Sequence, residues 1–298
     1  MLKELCTPTL QPFLDTSATY EEASYVLFGA PLDRTASQRS GSRFAPNAIR
    51  QASLYMEAYS LRTGLDWGDV AVADVGDVKG LEEVEVALGN IEGVAGKILG
   101  AGKTPVMLGG EHTVTLGALR ASNPHLVVDF DAHLDLRHRL FGLELSHATF
   151  MRRALEELDH RLVVLGCRAF SREEREFVEA NKDRVMVVTA IDLLKDGVDQ
   201  GVEAVRSGLE GASCAYLSID MDVLDPAYAP AVGNPSPEGI SVTMLLDIIN
   251  GVIDERFVGF DLTEVTPHYD SGLTASQASH VILETIYGME SGRHNTRA

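Results

Sequence analysis

The sequence predicts an α/β protein built on a parallel sheet, because short apolar runs alternate with longer stretches of helical pattern and several runs end in clustered Asp and His. The runs are continuous in Val and Leu rather than alternating, as expected for strands covered by helices on both faces. Polar clusters at strand ends fit the rule that α/β proteins collect ligands at the C-terminal ends of parallel strands. Spacing alone leaves an open doubly wound sheet and a barrel both standing.

The first strand is SYVLFG (24–29), followed by a Gly- and Ser-containing loop and a helix over 46–58. DVAVADV (69–75) leads to a helix over 82–100. TPVMLG (104–109) runs into GGEHTVT, where a Gly-Gly turn puts His112 near a helix start. HLVVDFD (125–131) precedes a helix over 149–159, and RLVVLG (161–166) one over 171–181. RVMVV (184–188) is followed by 199–209 and AYLSID (215–220) by 242–253. RFVGFDL (256–262) comes last, with a closing helix over 274–288. Each strand is a short run rich in Val, Leu and Ile, and each helix an amphipathic segment of period near 3.6. Without an internal repeat, a low-complexity tract or a linker, residues 1–298 are expected to form one domain.

With 45% hydrophobic and 23% charged residues in 298, the composition is that of a globular protein. A net charge of −19 argues against nucleic acid as a partner; it would attract a small cationic substrate at long range, although solubility or adaptation to the cell's salt explains the acidity equally well. Apolar runs fall short of the ~20 residues needed to span a bilayer. The start, MLKELCTPTLQPF, lacks the pattern of a secretion signal, so a cytoplasmic protein without membrane contact is expected. Cys6, Cys167 and Cys214 are far apart and make no CxxC, and Cys167 and Cys214 read as core residues beside strands.

The segment DFDAHLDLR (129–137) sets Asp129, Asp131, His133 and Asp135 at every second position. On a continuing strand they would face one space, about 6 to 7 Å apart per step. Unpaired, that much negative charge at the edge of a core is costly, and a cation suits the mixture of carboxylates and imidazole. SIDMDVLDP repeats the pattern with Asp220 and Asp222. An isolated DxD is ordinarily a turn or a cap, but two clusters at two strand ends point to metal. The candidate ligands are His112, Asp131, His133, Asp135, Asp220 and Asp222. Six exceed what one ion needs, and two cations about 3.5 to 4 Å apart, sharing carboxylates and a water, would use them all. The carboxylate majority favours Mn²⁺, with Fe, Co and Zn as alternatives. Water ionised between two such ions is a strong nucleophile, so hydrolysis is the expected chemistry.

GGEHTVT, DFDAHLDLR, LSHATFMRR, SIDMDVLDPAYAP and DLTEVTP occur in the order and rough spacing of the ureohydrolase family, which includes arginases, agmatinases and guanidinobutyrases. The resemblance spans almost the whole chain and takes in GAPLDRTASQRSGSRFAPNAIR near the N-terminus. It implies a single-domain three-layer α/β/α fold with an eight-stranded parallel sheet, two Mn²⁺ per chain and a trimeric or hexameric assembly. By motif, His112, Asp131 and Asp135 resemble ligands of one ion and His133 and Asp222 of the other, with Asp131 and Asp220 as bridges. Glu264 matches the carboxylate that grips the guanidinium, and His147 a loop histidine assigned to proton transfer. Asp135 is the group placed to protonate the leaving nitrogen.

From the residues alone, Glu264 is a strand-end carboxylate able to accept paired N–H bonds, and His147 reads as a capping or packing residue before a helix. Glu111 stands where the family commonly has Asp and is expected to hold His112. Arg137 lies in the loop where related enzymes contact the far end of the substrate. Facing inward, it would repel a terminal ammonium and attract a carboxylate. Loop 225–239, rich in Pro and Gly, is expected to wall the site.

HATFMRR and DPAYAPAVGNPSPEG resemble the agmatinase branch, which implies cleavage of agmatine to putrescine and urea, a step of polyamine biosynthesis. Guanidinobutyrase, arginase, aminopropylagmatine ureohydrolase and formimidoylglutamase are the alternatives, with a single-zinc deacetylase-like hydrolase more distant. A metallophosphoesterase would need GDxxD or GNH segments that the sequence lacks. His125, His138, His160, His268, His280 and His294 carry no supporting motif and are expected on the surface or in the core.

Overall fold

The structure, a computed structural model, describes residues 2–297. The strands in chain order are β1 (Cys6–Thr7), β2 (Tyr25–Ala30), β3 (Val72–Val78), β4 (Thr104–Gly109), β5 (Leu126–Phe130), β6 (Arg161–Cys167), β7 (Val185–Thr189), β8 (Ala215–Asp220) and β9 (Phe257–Thr263). They form one sheet in the order β1-β3-β2-β4-β9-β8-β5-β6-β7. β2 to β9 are parallel throughout, and β1 pairs antiparallel with β3 at the edge. The eight expected strands are therefore present in an open sheet, with a ninth that is two residues long and too short to leave a periodic signal.

The helices are α1 (Ala45–Ser53), α2 (Val84–Gly100), α3 (Thr115–Ser122), α4 (Phe150–Glu157), α5 (Arg172–Ala180), α6 (Ala190–Asp196), α7 (Val198–Leu209), α8 (Val242–Val252) and α9 (Leu273–Arg297). Side chains alternate across the sheet, so each strand feeds two cores: Tyr25 and Leu27 enter one, Val26 and Phe28 the other. α1, α6, α7, α8 and α9 cover the first, and α2 to α5 the second, giving three layers. α3 follows the helix start expected near His112, whereas α6 was not expected. α6 did have a signal, since Thr189 and Asp192 form a capping box at its start. Gly197, with φ 83°, separates it from α7.

β3 begins three residues later than the apolar pattern suggested and includes Asp74 and Asp77. Arg50 of α1, only 1% exposed, makes this possible. Its guanidinium binds both oxygens of Asp74 at 2.8 and 2.9 Å and Asp77 at 2.6 Å. Asp74 also accepts the Phe13 and Gly76 N–H groups. Cys6 and Cys167 are buried, Cys214 is half-buried, and all three are free thiols. The His294 side chain lies outside those described. Among the described residues, no helix is long and apolar enough to cross a membrane.

Candidate active site

β4, β9, β8 and β5 are consecutive neighbours in the middle of the sheet, and the motif residues emerge from their C-terminal ends. After β4, the main chain of Gly110 packs against Leu32, where a Cβ would come within 2.0 Å of the Leu32 carbonyl oxygen. The chain then turns through a short 3-10 segment that presents His112. β8 supplies Asp220 as its last residue and Asp222 from the following turn, whose N–H donates to Asp220 Oδ1 at 2.7 Å. Glu264 directly follows β9.

β5 stops at Phe130, which corrects the expectation that strand alternation through 135 aligns the DFDAHLD side chains. Asp131, His133 and Asp135 converge through an irregular loop, with Asp135 in the left-handed region at φ 51°. Glu264 is also left-handed, at φ 65°. Such backbone costs about 1–3 kcal/mol per non-glycine residue and persists where the surroundings impose it, often at functional sites.

All six candidate ligands come together. His112 Nδ1 lies 3.2 Å from Asp131 Oδ2, 3.4 Å from Asp135 Oδ2 and 3.3 Å from Asp220 Oδ2. His133 Nδ1 lies 3.4 Å from Asp131 Oδ1 and 3.0 Å from Asp222 Oδ2. Two groups have ligand atoms mutually within 4.8 Å: His112, Asp131 and Asp220; and Asp131, His133 and Asp222. Asp131 belongs to both, whereas Asp220 falls in the first and Asp135 borders it.

The hydrogen bonds around His112 test whether these residues suit cations. Ser218 Oγ donates to Asp261 Oδ1 at 2.7 Å, so it accepts from His112 Nε2–H at 2.9 Å. Nδ1 is then left facing three carboxylates, and neither it nor Asp131 Oδ2 has a hydrogen-bond partner. A lone pair aimed at carboxylates is repulsive unless positive charge lies between them, so the donor set fits hard divalent ions. Burial alone would lower His112 and His133, yet the surrounding aspartates hold both well above the usual imidazole range. Burial and the Asp131 charge push the Asp135 carboxyl up to about 7. Asp129 sits in β5 beneath the cluster, 3.7 Å from His112 Nε2 and without a hydrogen-bond partner, and burial raises its carboxyl well above the usual range.

Glu111 does not hold the His112 ring as expected. Its carboxylate accepts the Arg34 and Thr35 N–H groups at 2.5 and 2.7 Å and the hydroxyls of Thr35 and Thr113 at 2.8 and 2.7 Å. Because Thr35 Oγ1 donates to Glu111, it accepts from His147 Nδ1–H at 3.1 Å, and it also accepts the His147 backbone N–H at 3.0 Å. Nε2 of His147 therefore carries the lone pair, beside Ser37 Oγ at 3.2 Å, and burial lowers its pKa. Thr35 lies within the GAPLDRTASQRSGSRFAPNAIR segment, but nothing in the sequence singled it out. Arg168 was also missed: it donates to the carbonyls of Gly166, Asp222, Val223, Leu224, Ser236 and Pro237 at 2.7–3.2 Å, tying loop 225–239 to the Asp222 turn.

Glu264 Oε1 accepts the His112 N–H at 2.8 Å. Oε2 occupies space that Gly233 leaves open, since a Cβ there would meet it at 2.6 Å. Burial pushes this carboxyl up to about 8. A cavity of about 490 Å³ opens above, lined by His112, His133, Asp135, Asp220, Asp222 and Glu264, with Arg137, His147, Glu174, Leu140, Phe141 and Asn234 on its walls. Arg137 faces this cavity but pairs with buried Glu174, Nε to Oε2 at 3.6 Å. Glu174 also accepts from Ser171 and the Leu136 N–H, so its position is set by α5 and the loop together.

Residues 23–288 match the arginase family model. The chain belongs to the arginase family. As a member, it is an agmatinase-like ureohydrolase, a hydrolase acting on guanidino C–N bonds. A guanidinobutyrase of Pseudomonas aeruginosa is 35% identical, covering 92% of this chain and 89% of that protein. An agmatinase of Bacillus subtilis is 36% identical, covering 93% of this chain and 95% of that protein. An agmatine ureohydrolase structure from Thermoplasma volcanium superposes with a TM-score of 0.88 at 38% identity, covering 95% of each chain. The arginase-family fold thus extends over nearly all of the sheet and the site described above.

Proposed function

We propose that this protein hydrolyses agmatine to putrescine and urea at a pair of Mn²⁺ ions held by His112, Asp131, His133, Asp135, Asp220 and Asp222. The observation that carries the reading is the convergence of these side chains with His112 Nδ1 and Asp131 Oδ2 unpaired among carboxylates. Divalent cations there would supply Lewis acidity, acidifying water and offsetting negative charge as the guanidinium carbon is attacked.

The chain's own residues do the rest. Glu264 Oε2 orients the guanidinium by accepting its N–H groups while Oε1 stays tied to His112. Asp135, at the cavity floor beside His112, is placed to pass a proton to the leaving nitrogen. His147 Nε2 accepts a proton from the cavity and passes it to solvent, its ring fixed by Thr35. A guanidinium compound and water give a primary ammonium and urea.

The distal end of the substrate meets Arg137, whose charge is largely offset by Glu174. That pairing leaves a cationic chain end admissible, and the net charge of −19 favours it. A second reading, a guanidino acid as substrate, is favoured by Arg137 lining the cavity at all. The reading includes a cytoplasmic protein folded as one domain, supported by a single sheet drawing strands from residue 6 to residue 263, and a homo-oligomer of the family's kind.

Urea release by Mn²⁺-loaded protein is measured with agmatine, 4-guanidinobutyrate, aminopropylagmatine and arginine. Agmatine is expected to give the highest kcat/KM. No urea from any of them sinks the catalytic reading, while faster turnover of guanidinobutyrate replaces agmatine alone. Asp131→Asn and Asp222→Asn are expected to lose both bound metal and urea release.

A further inference from the structure

Residues 140–143 form a two-residue hairpin at the cavity mouth, in which Leu140 and Leu143 exchange both backbone hydrogen bonds at 3.0 and 2.9 Å. Its central residues, Phe141 and Gly142, both have positive φ, 49° and 85°. Such type I′ turns ordinarily take Asn, Asp or Gly at the first central position, where an aromatic side chain is unfavourable. Phe141 is also 81% exposed, so its ring gains little from the fold. Two unfavourable features coincide at one residue, and that residue lines the cavity that holds Glu264 and the metal-ligand cluster.

We propose that Phe141 is a specificity-determining residue whose ring covers the aliphatic chain of the bound guanidino compound. The proposal rests on the hydrolase reading above and adds the residue that selects guanidino compounds with several methylenes. With the guanidinium beside Glu264 at the cavity floor, the chain must run outward along the walls. There Leu140, Phe141, Ala148 and Ala169 offer apolar surface, while Arg137 and Glu174 pair with each other. Covering methylenes removes apolar area from water on both partners and offsets the exposure of the ring. The Arg139–Glu144 ion pair flanks the hairpin just outside its four residues.

The test compares wild type with Phe141→Asn and Phe141→Leu in the Mn²⁺-loaded protein, using agmatine as substrate and guanidinium ion as a competitive inhibitor without a chain. Phe141→Asn is expected to raise KM for agmatine about tenfold, the equivalent of one to two buried methylenes. It should leave the Ki of guanidinium unchanged and raise Tm by about 2 °C, because Asn suits the turn. Phe141→Leu should keep most of the affinity. An unchanged agmatine KM in Phe141→Asn overturns the inference, as does a parallel rise in the guanidinium Ki. Loss of an oligomer in gel filtration with KM intact also overturns it, by assigning the ring to a subunit contact. If wild type releases urea from no guanidino compound, the hydrolase reading fails and this inference with it.

Discussion

The proton-transfer role proposed for His147 depends on its orientation, which a hydroxyl far away in the sequence sets. Thr35 accepts from the ring and from the backbone of His147 while donating to Glu111, which fixes the tautomer with the lone pair on Nε2. Thr35→Val should lower kcat for urea release about tenfold or more, with KM and metal content little changed and the pH profile of kcat displaced. Thr35→Ser should restore both kcat and profile; a purely structural role would move stability and leave the profile in place. Glu264 makes a complementary case. Glu264→Gln keeps the His112 N–H contact but removes the charge that pairs with a guanidinium, so kcat/KM should fall about 100-fold while bound metal persists. Metal loss in that variant would instead make Glu264 a prop for the ligand set.

Elements deliver these residues, and Arg168 holds several of them in register. Arg168 donates to six main-chain carbonyls across β6, the Asp222 turn and loop 225–239, using the planar fork of its guanidinium. Arg168→Ala should destabilise by about 3 kcal/mol in urea unfolding and weaken metal binding through Asp222, and Arg168→Lys should not rescue it. At the other end of β6, His160 is 2% exposed, and burial with the nearby Arg184 lowers its pKa from 6.5 to about 4. A depressed histidine stabilises the fold above its unfolded value, because the unfolded chain takes up a proton that the native chain refuses. Stability from this residue is therefore complete above pH 6.5 and is lost progressively down to about pH 4, a difference of about 3 kcal/mol. His160→Phe should flatten that part of the pH–stability curve, and an unchanged slope would remove His160 from the account.

For the molecule as a whole, two buried charge systems act on stability in opposite ways. In the Arg50, Asp74 and Asp77 network the buried guanidinium offsets carboxylate charge and binds α1 to β3, so Arg50→Ala strands the buried Asp74 carboxylate and should cost about 3–5 kcal/mol. The His and Asp cluster of the cavity is the reverse, an excess of carboxylates that bound divalent cations would offset. Mn²⁺ at about 100 times its Kd should add about 2.7 kcal/mol and raise Tm, with a chelator reversing the gain. Asp131→Asn, which removes the carboxylate common to both ligand groups, should abolish the Mn²⁺-dependent rise.

Local pattern determined more of this protein than its length suggests. Eight parallel strands were legible because each is a continuous apolar run between helical segments, and the six metal-ligand candidates because Asp and His cluster where those runs end. Both signals lie within about ten residues of chain. Tertiary structure decided the strand order that makes β4, β9, β8 and β5 neighbours, the left-handed turns at Asp135 and Glu264, and the pairing of Arg137 with Glu174. It also brought Thr35 to His147 and Arg168 to loop 225–239. These features depend on contacts between segments far apart in sequence, where a hydrogen bond or a backbone strain leaves no periodicity to read.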